Sequence, residues 1–265
     1  MHYYVNLDRS PERRSHMEAA LAKAGIEAER IAAVDGSEMS EEERRAWSPP
    51  GPGRLLLPGE IGCFLSHRRG WERFLATEAT HALFMEDDAV LSSHFGDVLR
   101  RMPKWSRGTH IVQLEVREHG RRLVGHGGRW IGTGHRLRRL HDPAMGTAAY
   151  VLSRDAAEMA LARSQTFRTP VDAFLFVDSR GPFGGTPRHI VLPGVVIQAD
   201  RQPGSEVSDD VKSSLIGDVS LRAGRAAPKG TEERRPTPRK PTSKAGRLWR
   251  EIRHFARYTK LRFKP

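Results

Sequence analysis

The sequence predicts an α/β fold in which one sheet is flanked by helices. Three observations lead to this prediction: strand-type and helix-type segments alternate from the start, the apolar period changes with them, and three acidic residues directly follow an apolar strand-type segment. The chain has 265 residues, of which 38% are hydrophobic. This length is enough for one large domain with a sizeable core.

The first half of the chain alternates regularly. Segment 2–7 is rich in aromatic and β-branched residues and is typical of a strand, and Ser10 with Pro11 predicts the start of a helix. Ser40 and Glu43 have the spacing of a capping box for a short helix. Further strands are predicted at 30–34, 81–85, 110–114, 147–152, 190–192 and 195–198, and further helices at about 59–76, 94–101 and 153–163. Strand, helix and strand in succession predict the start of a doubly wound sheet.

The alternation fails between residues 117 and 142, a stretch dense in Arg, His and Gly. We predict a long, basic surface loop here, suited to phosphate or acidic sugars, with Trp130 available to stack on a sugar. A plain solvated loop is the alternative. The glycine-rich part at 125–135 lacks the preceding strand and following helix that a phosphate-binding loop needs.

The net charge of +12 comes entirely from the C-terminal part of the chain. Residues 221–265 contain 15 Lys or Arg and three acids, whereas residues 1–220 contain 29 of each sign. A nucleic-acid-binding domain normally carries its positive charge on the folded body. The pattern therefore predicts no specific nucleic-acid partner.

The composition divides the chain into three parts. We predict one main domain at 1–205, a basic low-complexity linker at 206–246 and a basic amphipathic helix at 247–265. Leu248, Ile252 and Phe255 share one face of that helix while arginines occupy the others. This pattern predicts attraction to an anionic membrane surface, and a helix packed on the body or on a partner is the alternative.

Two features bear on the compartment. Cys63 is the single cysteine, so no internal disulfide is expected, and the start of the chain has no signal-type apolar segment. No window approaches the roughly 20 apolar residues of a membrane-spanning helix. We therefore expect a cytoplasmic protein, peripheral at most on the inner face of the cytoplasmic membrane.

Glu86, Asp87 and Asp88 are three consecutive carboxylates at the end of an apolar strand. Like charges this close repel each other and their burial adds to the cost, so the pattern predicts a positive partner. Carboxylate oxygens are preferred ligands of Mg²⁺ and Mn²⁺, and ligands bind outside the carboxyl ends of strands in open α/β sheets. A solvated strand end is the alternative for such a short motif.

Six motifs occur in one order along the chain. They are VNLDRSPERR at 5–14, AAVDG at 32–36, GEIGCFLSH at 59–67, LFMEDD at 83–88, GTAAYVLSR at 146–154 and PVDAF at 170–174. In order and approximate spacing they resemble family 25 glycosyltransferases, which include bacterial lipooligosaccharide galactosyltransferases and resemble collagen galactosyltransferases. The resemblance covers residues 2 to about 200.

The resemblance implies a GT-A type fold, with a glycosyltransferase domain at 1–205. It also implies an inverting hexosyltransferase that uses a UDP-sugar, with galactose favoured, on a glycan or glycolipid acceptor of lipopolysaccharide or lipooligosaccharide biosynthesis. Glu86, Asp87 and Asp88 stand where the family's metal motif stands, with Asp88 as the first-choice ligand of Mn²⁺ or Mg²⁺. The donor-binding candidates are Asn6, Asp8, Arg9, Arg13, Asp35, Gly36, Ser66 and His67.

Two acids are candidates for the catalytic base. Asp172 lies in PVDAF among apolar residues that raise a carboxyl pKa, and Glu115 follows the strand predicted at 110–114. An N-capping role is the alternative for Asp172. Cys63 is expected to be a small buried hydrophobe rather than a nucleophile, and His67 has a hydrogen-bonded core histidine as its alternative.

Three other functions remain open at this stage. A nucleotidyltransferase also needs carboxylates and metal, but the first strand is not followed by a glycine-rich phosphate loop. A catalytically inactive module with a nucleotide-binding fold is the second, although the acids at 86–88 and 172 are intact. A basic protein that binds nucleic acid through its tail is the third.

Overall fold

One large sheet forms the centre of the molecule. A computed structural model describes residues 1–103, 108–117, 121–142, 144–177, 183–184, 186–202, 208–212 and 256–265. The strands are β1 (His2–Asn6), β2 (Glu29–Ala32), β3 (His81–Glu86), β4 (Ala89–Leu91), β5 (Ile111–Gln113), β6 (Arg121–Gly125), β7 (Arg129–Trp130), β8 (Arg136–Leu140), β9 (Ala149–Ser153), β10 (Arg188–Leu192), β11 (Val196–Gln198) and β12 (Ala256–Lys260). The helices are α1 (Pro11–Ala24), α2 (Glu41–Trp47), α3 (Pro58–Leu75), α4 (Phe95–Arg100), α5 (Arg154–Ala162), α6 (Val171–Phe176) and α7 (Asp209–Lys212), and a 3₁₀ turn spans Ala199–Arg201.

The sheet mixes parallel and antiparallel strands. Its order is β12-β6-β8-β10-β5-β9-β3-β1-β2, with β7 beside β8, and β4 and β11 form a separate antiparallel pair. β1 is parallel to β2 and to β3, and β5 is parallel to β10. The predicted α/β class is confirmed. A doubly wound parallel arrangement is confined to β1–β3, because β9 lies between β3 and β5 and is antiparallel to both.

Helices cover both faces of the central strands. Tyr3 and Phe84 pack in the core under α3, α5 and α6, whereas the adjacent Tyr4 and Leu83 pack in the core under α1 and α4. Successive side chains of a strand point to opposite faces, so a strand buried on both faces becomes a nearly continuous apolar run. This is why 82–85 is apolar throughout rather than alternating.

Local signals in the sequence set most element boundaries. Ser10 precedes α1 as its N-cap residue, and Gly25 ends the helix with a left-handed φ of 65°. The capping box is confirmed, since the Ser40 backbone N–H donates to Glu43 Oε2 at 2.7 Å and the Glu43 N–H donates to Ser40 Oγ at 3.1 Å. The helix predicted at 153–163 is α5, with the Ser153 side chain as its cap.

The predicted loop at 117–142 is wrong. Within this stretch, 121–125, 129–130 and 136–140 form β6, β7 and β8, which extend the sheet. Leu123, Leu137 and Leu140 are buried, and the arginines between them hid the strand pattern because few apolar residues mark each strand. Trp130 is 55% exposed and lies beside the Arg136 guanidinium, 5.4 Å from its ring centroid.

The C-terminal predictions also need correction. The helix predicted at 247–265 is wrong for residues 256–260, which form β12 antiparallel to β6, while 247–255 lie outside the described residues. Leu261 is buried, and the Gly194 N–H donates to the Arg262 carbonyl at 2.7 Å. Backbone pairing with an open sheet edge outweighs the helical spacing that the sequence showed.

The described part of the predicted linker at 206–246, residues 208–212, is folded. α7 lies within it and packs against α1 and the 3₁₀ turn, with Val211 buried. The folded body therefore reaches beyond residue 205 and includes 208–212 and 256–265. In the part of the chain that the structure describes, none of the helices combines the length and apolarity needed to cross a bilayer.

Candidate active site

Two neighbouring pockets open at one edge of the sheet, where β1, β2 and β3 end. The first pocket is lined by Val5, Asn6, Leu7, Arg9, Arg13, Ala33, Val34, Asp35, Gly36, Ser37, Gly59, Cys63, Ser66, His67, Glu86, Asp87, Asp88 and Gln198. The second pocket is lined by Arg54, Glu60, Cys63, Glu86, Asp88, Arg117, Met145, Gly146, Thr147, Pro170, Val171, Asp172, Gln198, Asp200, Arg201 and Lys212. Glu86 and Asp88 belong to both walls, so these acids stand between two compartments.

The acids are positioned by backbone pairing on both sides. Glu86 ends β3, and its N–H donates to the Ala148 carbonyl at 3.0 Å. The Asp88 carbonyl accepts from the Ala199 N–H at 2.9 Å, next to the pairing of β4 with β11. The chain turn between these bonds is fixed, so the carboxylates face the pocket edge without depending on a flexible loop.

Arg13 supplies positive charge at the acidic triplet. Its guanidinium lies 2.9 Å from Asp87 Oδ1 and 3.2 Å from Asp88 Oδ2, with an 8% exposed side chain. Asp87 is also buried and accepts from Asn6 Nδ2 at 2.7 Å through its other oxygen. Both oxygens of Asp87 are therefore engaged within the protein, and Arg13, one of the donor-binding candidates, is an ion-pair partner of the acids.

Asp88 keeps one buried oxygen without a hydrogen bond. Its Oδ1 has no partner in the described part of the chain, while Oδ2 contacts Arg13 and lies 3.5 Å from Gln198 Nε2. Burial and the nearby charge of Glu86 raise the pKa of Asp88 to about 7. One arginine does not balance three carboxylates. A divalent cation fits here, with Asp88 and Glu86 as ligands and Asp87 as the least suited of the three.

A chain of hydrogen bonds runs from Trp71 through Tyr150 and His67 to Glu86. Trp71 Nε1 donates to the Tyr150 hydroxyl at 2.9 Å, and the same hydroxyl lies 2.9 Å from His67 Nδ1. The indole N–H donates to the hydroxyl oxygen and leaves the hydroxyl proton available to Nδ1. Because the other ring nitrogen faces a carboxylate, which can only accept when ionised, we assign the ring proton of His67 to Nε2. That nitrogen faces Glu86 Oε1 at 3.4 Å, and Thr147 Oγ1 donates to the same oxygen at 2.5 Å.

These contacts determine the charge state of Glu86. Burial alone raises its pKa, but the hydrogen bonds from His67 and Thr147 and the positive charge of Arg13 outweigh burial and lower the pKa. Glu86 is therefore the ionised acid of the site. His67 is fully buried, so the core-histidine interpretation accounts for its contacts, while its Nε2 still reaches the pocket wall.

Cys63 lies closer to the acids than its sequence suggested. Its Sγ, a ring nitrogen of His67 and a carboxylate oxygen of Glu86 all lie within 4.8 Å of one another, the one three-ligand grouping among the described residues. Burial raises the pKa of the Cys63 thiol well above its usual value. Such a thiol is mostly protonated near neutral pH, and the absence of a nucleophilic role for Cys63 stays a prediction.

The donor-side candidates separate into pocket residues and others. Arg9 and Asp35 line the first pocket and pair with each other at 2.5 Å, where bonds from Arg9 and Ser37 outweigh burial and lower the pKa of Asp35. Asp8 is not among the lining residues. Its side chain is 80% exposed and pairs with Arg30 at 2.5 Å.

Gly36 and Ser66 fix the position of α3 in the wall of the first pocket. A Cβ on Gly36 would lie 1.7 Å from the Pro58 carbonyl oxygen, so only glycine allows α3 to begin this close to the chain after β2. Ser66 Oγ accepts from the Val34 N–H at 2.8 Å and donates to the Gly62 carbonyl at 2.6 Å. Both residues hold α3 against the pocket, and this structural role explains their presence in the motifs.

The structure distinguishes the two candidate bases. Asp172 lines the second pocket together with Glu86 and Asp88, and burial raises its pKa. It accepts from the Ala173 N–H at 2.7 Å and the Gly146 N–H at 3.3 Å, and Pro170 rather than Asp172 caps α6.

Glu115 lines neither pocket. Its side chain is fully buried, its Oε2 accepts from the Ala148 N–H at 3.0 Å, and its Oε1 accepts from Arg201 at 3.1 Å. Burial and the charge of Glu86 raise the pKa of Glu115 to about 8. Gly146 covers it so closely that a Cβ there would lie 2.2 Å from Oε2. Glu115 therefore has no path to an acceptor in this arrangement.

Several site residues were not singled out from the sequence. Thr147 and Tyr150 lie in the motif GTAAYVLSR, where a polar residue in an apolar strand was the available signal. Gln198 and Arg201 follow or end a short apolar strand, and no local pattern connects them with residue 86. Among the described residues of the predicted basic loop, Arg117 alone lines either of the two pockets.

The fold and the site define a class of protein. An α/β sheet carries buried acids at the carboxyl ends of parallel strands, between two pockets, which is where such sheets bind ligands. The family model of glycosyltransferase family 25, described as an LPS biosynthesis protein, matches residues 1–175. The chain belongs to glycosyltransferase family 25.

Individual relatives match over part of their length. A glycosyltransferase 25 family member of Drosophila pseudoobscura pseudoobscura is 32% identical over 184 residues, covering 65% of this chain and 29% of that protein. Mouse procollagen galactosyltransferase 2 is 32% identical over 108 residues, covering 38% of this chain and 17% of that protein. The chain thus spans less than a third of the length of these relatives.

Some relatives are named as inactive, and one solved glycosyltransferase matches this chain at low identity. The names of some relatives, including a human one, contain the word inactive. A solved glycosyltransferase involved in the glycosylation of the major capsid of PBCV-1 is 10% identical, with a TM-score of 0.38 and coverage of 83% of this chain and 98% of that chain.

Proposed function

We propose that the protein is a metal-dependent, inverting glycosyltransferase of GT-A type that transfers a hexose from a UDP-sugar to a glycan acceptor. The observation that carries the proposal is the position of Glu86 and Asp88 in the shared wall of two pockets. A transferase needs a donor and an acceptor to meet at one set of catalytic groups, and this wall is such a place.

The first pocket is the donor side. Arg9 and Asp35 at its mouth offer a donor of hydrogen bonds to phosphate and an acceptor for ribose hydroxyls. Asn6, Gly36 and Ser66 shape this pocket, and their own polar groups are used within the protein.

Asp88 and Glu86 hold the divalent cation, Mn²⁺ or Mg²⁺. The unpartnered Oδ1 of Asp88 supports this assignment, because a buried carboxylate oxygen without a donor is costly and carboxylate oxygens are ligands of hard cations. When bound, the cation stabilises the departing diphosphate as a Lewis acid. Arg13 holds Asp87 and Asp88 in place next to it.

Asp172 is the base that removes the proton of the acceptor hydroxyl. It lies in the second pocket, where burial raises its pKa toward the range useful for a base near neutral pH. The Ala173 and Gly146 N–H groups orient its carboxylate. Glu115, the other candidate, serves instead as a buried partner of Arg201.

Galactose is the favoured sugar, and lipopolysaccharide or lipooligosaccharide biosynthesis is the favoured setting. The family description and the name of the mouse relative support these two choices. Association with an anionic membrane surface was predicted from a basic amphipathic helix, and 256–260 form a strand instead, so we do not include it in the proposal.

The test is release of UDP from UDP-galactose, UDP-glucose and UDP-N-acetyl sugars, with Mn²⁺ and with chelator. Wild-type protein is compared with Asp88→Asn, and with Asp97→Asn as a matched control at a half-exposed carboxylate on α4. We expect metal-dependent release that is lost, by at least 100-fold, only in Asp88→Asn.

One other result would redirect the assignment. If wild-type protein neither releases UDP nor binds it in the presence of metal, the chain is a non-catalytic module. Relatives named as inactive make this the second candidate.

A further inference from the structure

The second pocket contains a positive charge that nothing in the described protein neutralises directly. Arg117 lines this pocket beyond β5, and its Nε is buried without a hydrogen-bond partner. Across the described ranges, no carboxylate oxygen lies within 4.0 Å of its guanidinium nitrogens. A half-buried guanidinium without a paired anion is costly.

The other two arginines of this pocket differ from Arg117, because each is paired with a carboxylate. Arg54 is paired with Glu60 through two bonds, at 2.7 and 2.5 Å. Arg201 donates to Glu115 at 3.1 Å and lies 3.7 Å from Asp200. Arg117 is therefore the arginine of this pocket that has no paired carboxylate among the described residues.

Arg117 and Arg201 also lie close enough to repel each other. Burial first, and then the charge of Arg201, lower the pKa of Arg117, while Glu115 and Asp172 act in the opposite direction. Because burial keeps much of Glu115 protonated at neutral pH, that acid compensates only part of this charge. Two neighbouring guanidiniums at a pocket wall are a typical arrangement for binding an oxyanion.

We propose that Arg117, with Arg201, binds a phosphate or carboxylate group of the acceptor in the second pocket. This inference rests on the proposed function and deepens it, because it names the acceptor class as an anionic glycan. Arg117 and Asp172 line the same pocket, so the bound oxyanion and the reacting hydroxyl belong to one acceptor. A neutral acceptor should bind with lower affinity than an anionic one, because a neutral molecule leaves the Arg117 charge unpaired.

The test is calorimetric titration of the full chain with inorganic phosphate and, separately, with sodium acetate. Each titration is made with and without saturating UDP and Mg²⁺, so that the first pocket is filled in one arm. The variants are Arg117→Gln and Arg117→Lys, and the control is Arg45→Gln, which removes an arginine on α2 that is 65% exposed.

We expect wild-type protein to bind at least one of the two anions in the presence of UDP. Arg117→Gln should weaken that binding at least tenfold, Arg117→Lys should weaken it less because it keeps the charge but not the planar fork, and Arg45→Gln should leave it unchanged. Binding of phosphate alone identifies a phosphorylated acceptor, and binding of acetate alone identifies an acidic sugar.

Three outcomes would overturn the inference: no anion binding by the wild type, equal binding by Arg117→Gln, or a loss of UDP affinity in Arg117→Gln with anion binding unchanged. The last result would place Arg117 on the donor side. Failure of the proposed function shows itself differently, as absence of metal-dependent UDP binding in the wild type. In that case the arm without UDP still decides whether Arg117 forms an anion site.

Discussion

Replacing Tyr150 by Phe should destabilise the protein strongly although it removes a single oxygen atom. The Tyr150 hydroxyl accepts from Trp71 Nε1 at 2.9 Å and lies 2.9 Å from His67 Nδ1, and all three side chains are buried. The variant leaves two polar nitrogens without partners. Each such group costs about 1–3 kcal/mol, so we expect a loss of about 2–6 kcal/mol in the free energy of unfolding.

Tyr3 provides a matched control. Both tyrosine rings are fully buried and stack on Phe84, at centroid distances of 5.7 Å for Tyr3 and 5.3 Å for Tyr150. The Tyr3 hydroxyl is buried and makes no hydrogen bond to any described residue. Tyr3→Phe removes an unsatisfied group, so it should leave stability unchanged or raise it by up to about 1 kcal/mol.

Urea unfolding monitored by circular dichroism measures both variants. The midpoint should fall for Tyr150→Phe and stay or rise for Tyr3→Phe, with similar slopes because both variants bury the same ring. Equal losses in the two variants would refute the argument, since the hydroxyl contacts would then contribute nothing beyond loss of a buried atom.

Three further predictions concern other parts of the molecule. Gly36→Ala should cost about 1–3 kcal/mol in thermal unfolding, because its Cβ meets the Pro58 carbonyl oxygen at 1.7 Å; a neutral effect would mean that α3 shifts freely. Glu115→Gln should flatten the dependence of the free energy of unfolding on pH. Because the pKa of Glu115 is raised to about 8 in the folded protein, its contribution to wild-type stability is fully present below pH 4.5 and is lost as pH rises to 8. Identical pH profiles for the variant and the wild type would contradict this. Deleting 256–265 should lower the melting temperature and promote aggregation, because it removes β12 from the sheet edge; a deletion that melts like the full chain would show that this strand does not stabilise the body.

The sequence predicted the parts of the fold that depend on neighbours along the chain. The start of α1 at Ser10 and Pro11 and the capping box at Ser40 and Glu43 rest on contacts within a few residues, so their local signals were sufficient. The position of the acids at the end of β3 was predicted for the same reason, since the apolar run and its end are adjacent in sequence.

Predictions failed where distant pairing decides the structure. Strands form within 121–140 and at 256–260 because of pairing between distant segments, β6 with β12 and β8 with β10. No local sequence pattern predicts that pairing. Helical spacing in the tail was a real signal, but it was outweighed by backbone hydrogen bonds to an open edge.

The candidate site divides in the same way. The sequence by itself determined which residues are candidates for the chemistry, because the acids at 86–88 and Asp172 stand out by type and by motif. Only the tertiary structure decided the surroundings of each candidate. It paired Arg13 with Asp87 and Asp88, left Asp88 Oδ1 open, buried Glu115 and placed Asp172 in the second pocket. The physical reason is that burial, charge balance and hydrogen-bond partners arise between residues far apart in the chain, so they exist only after the sheet has brought those residues to one edge.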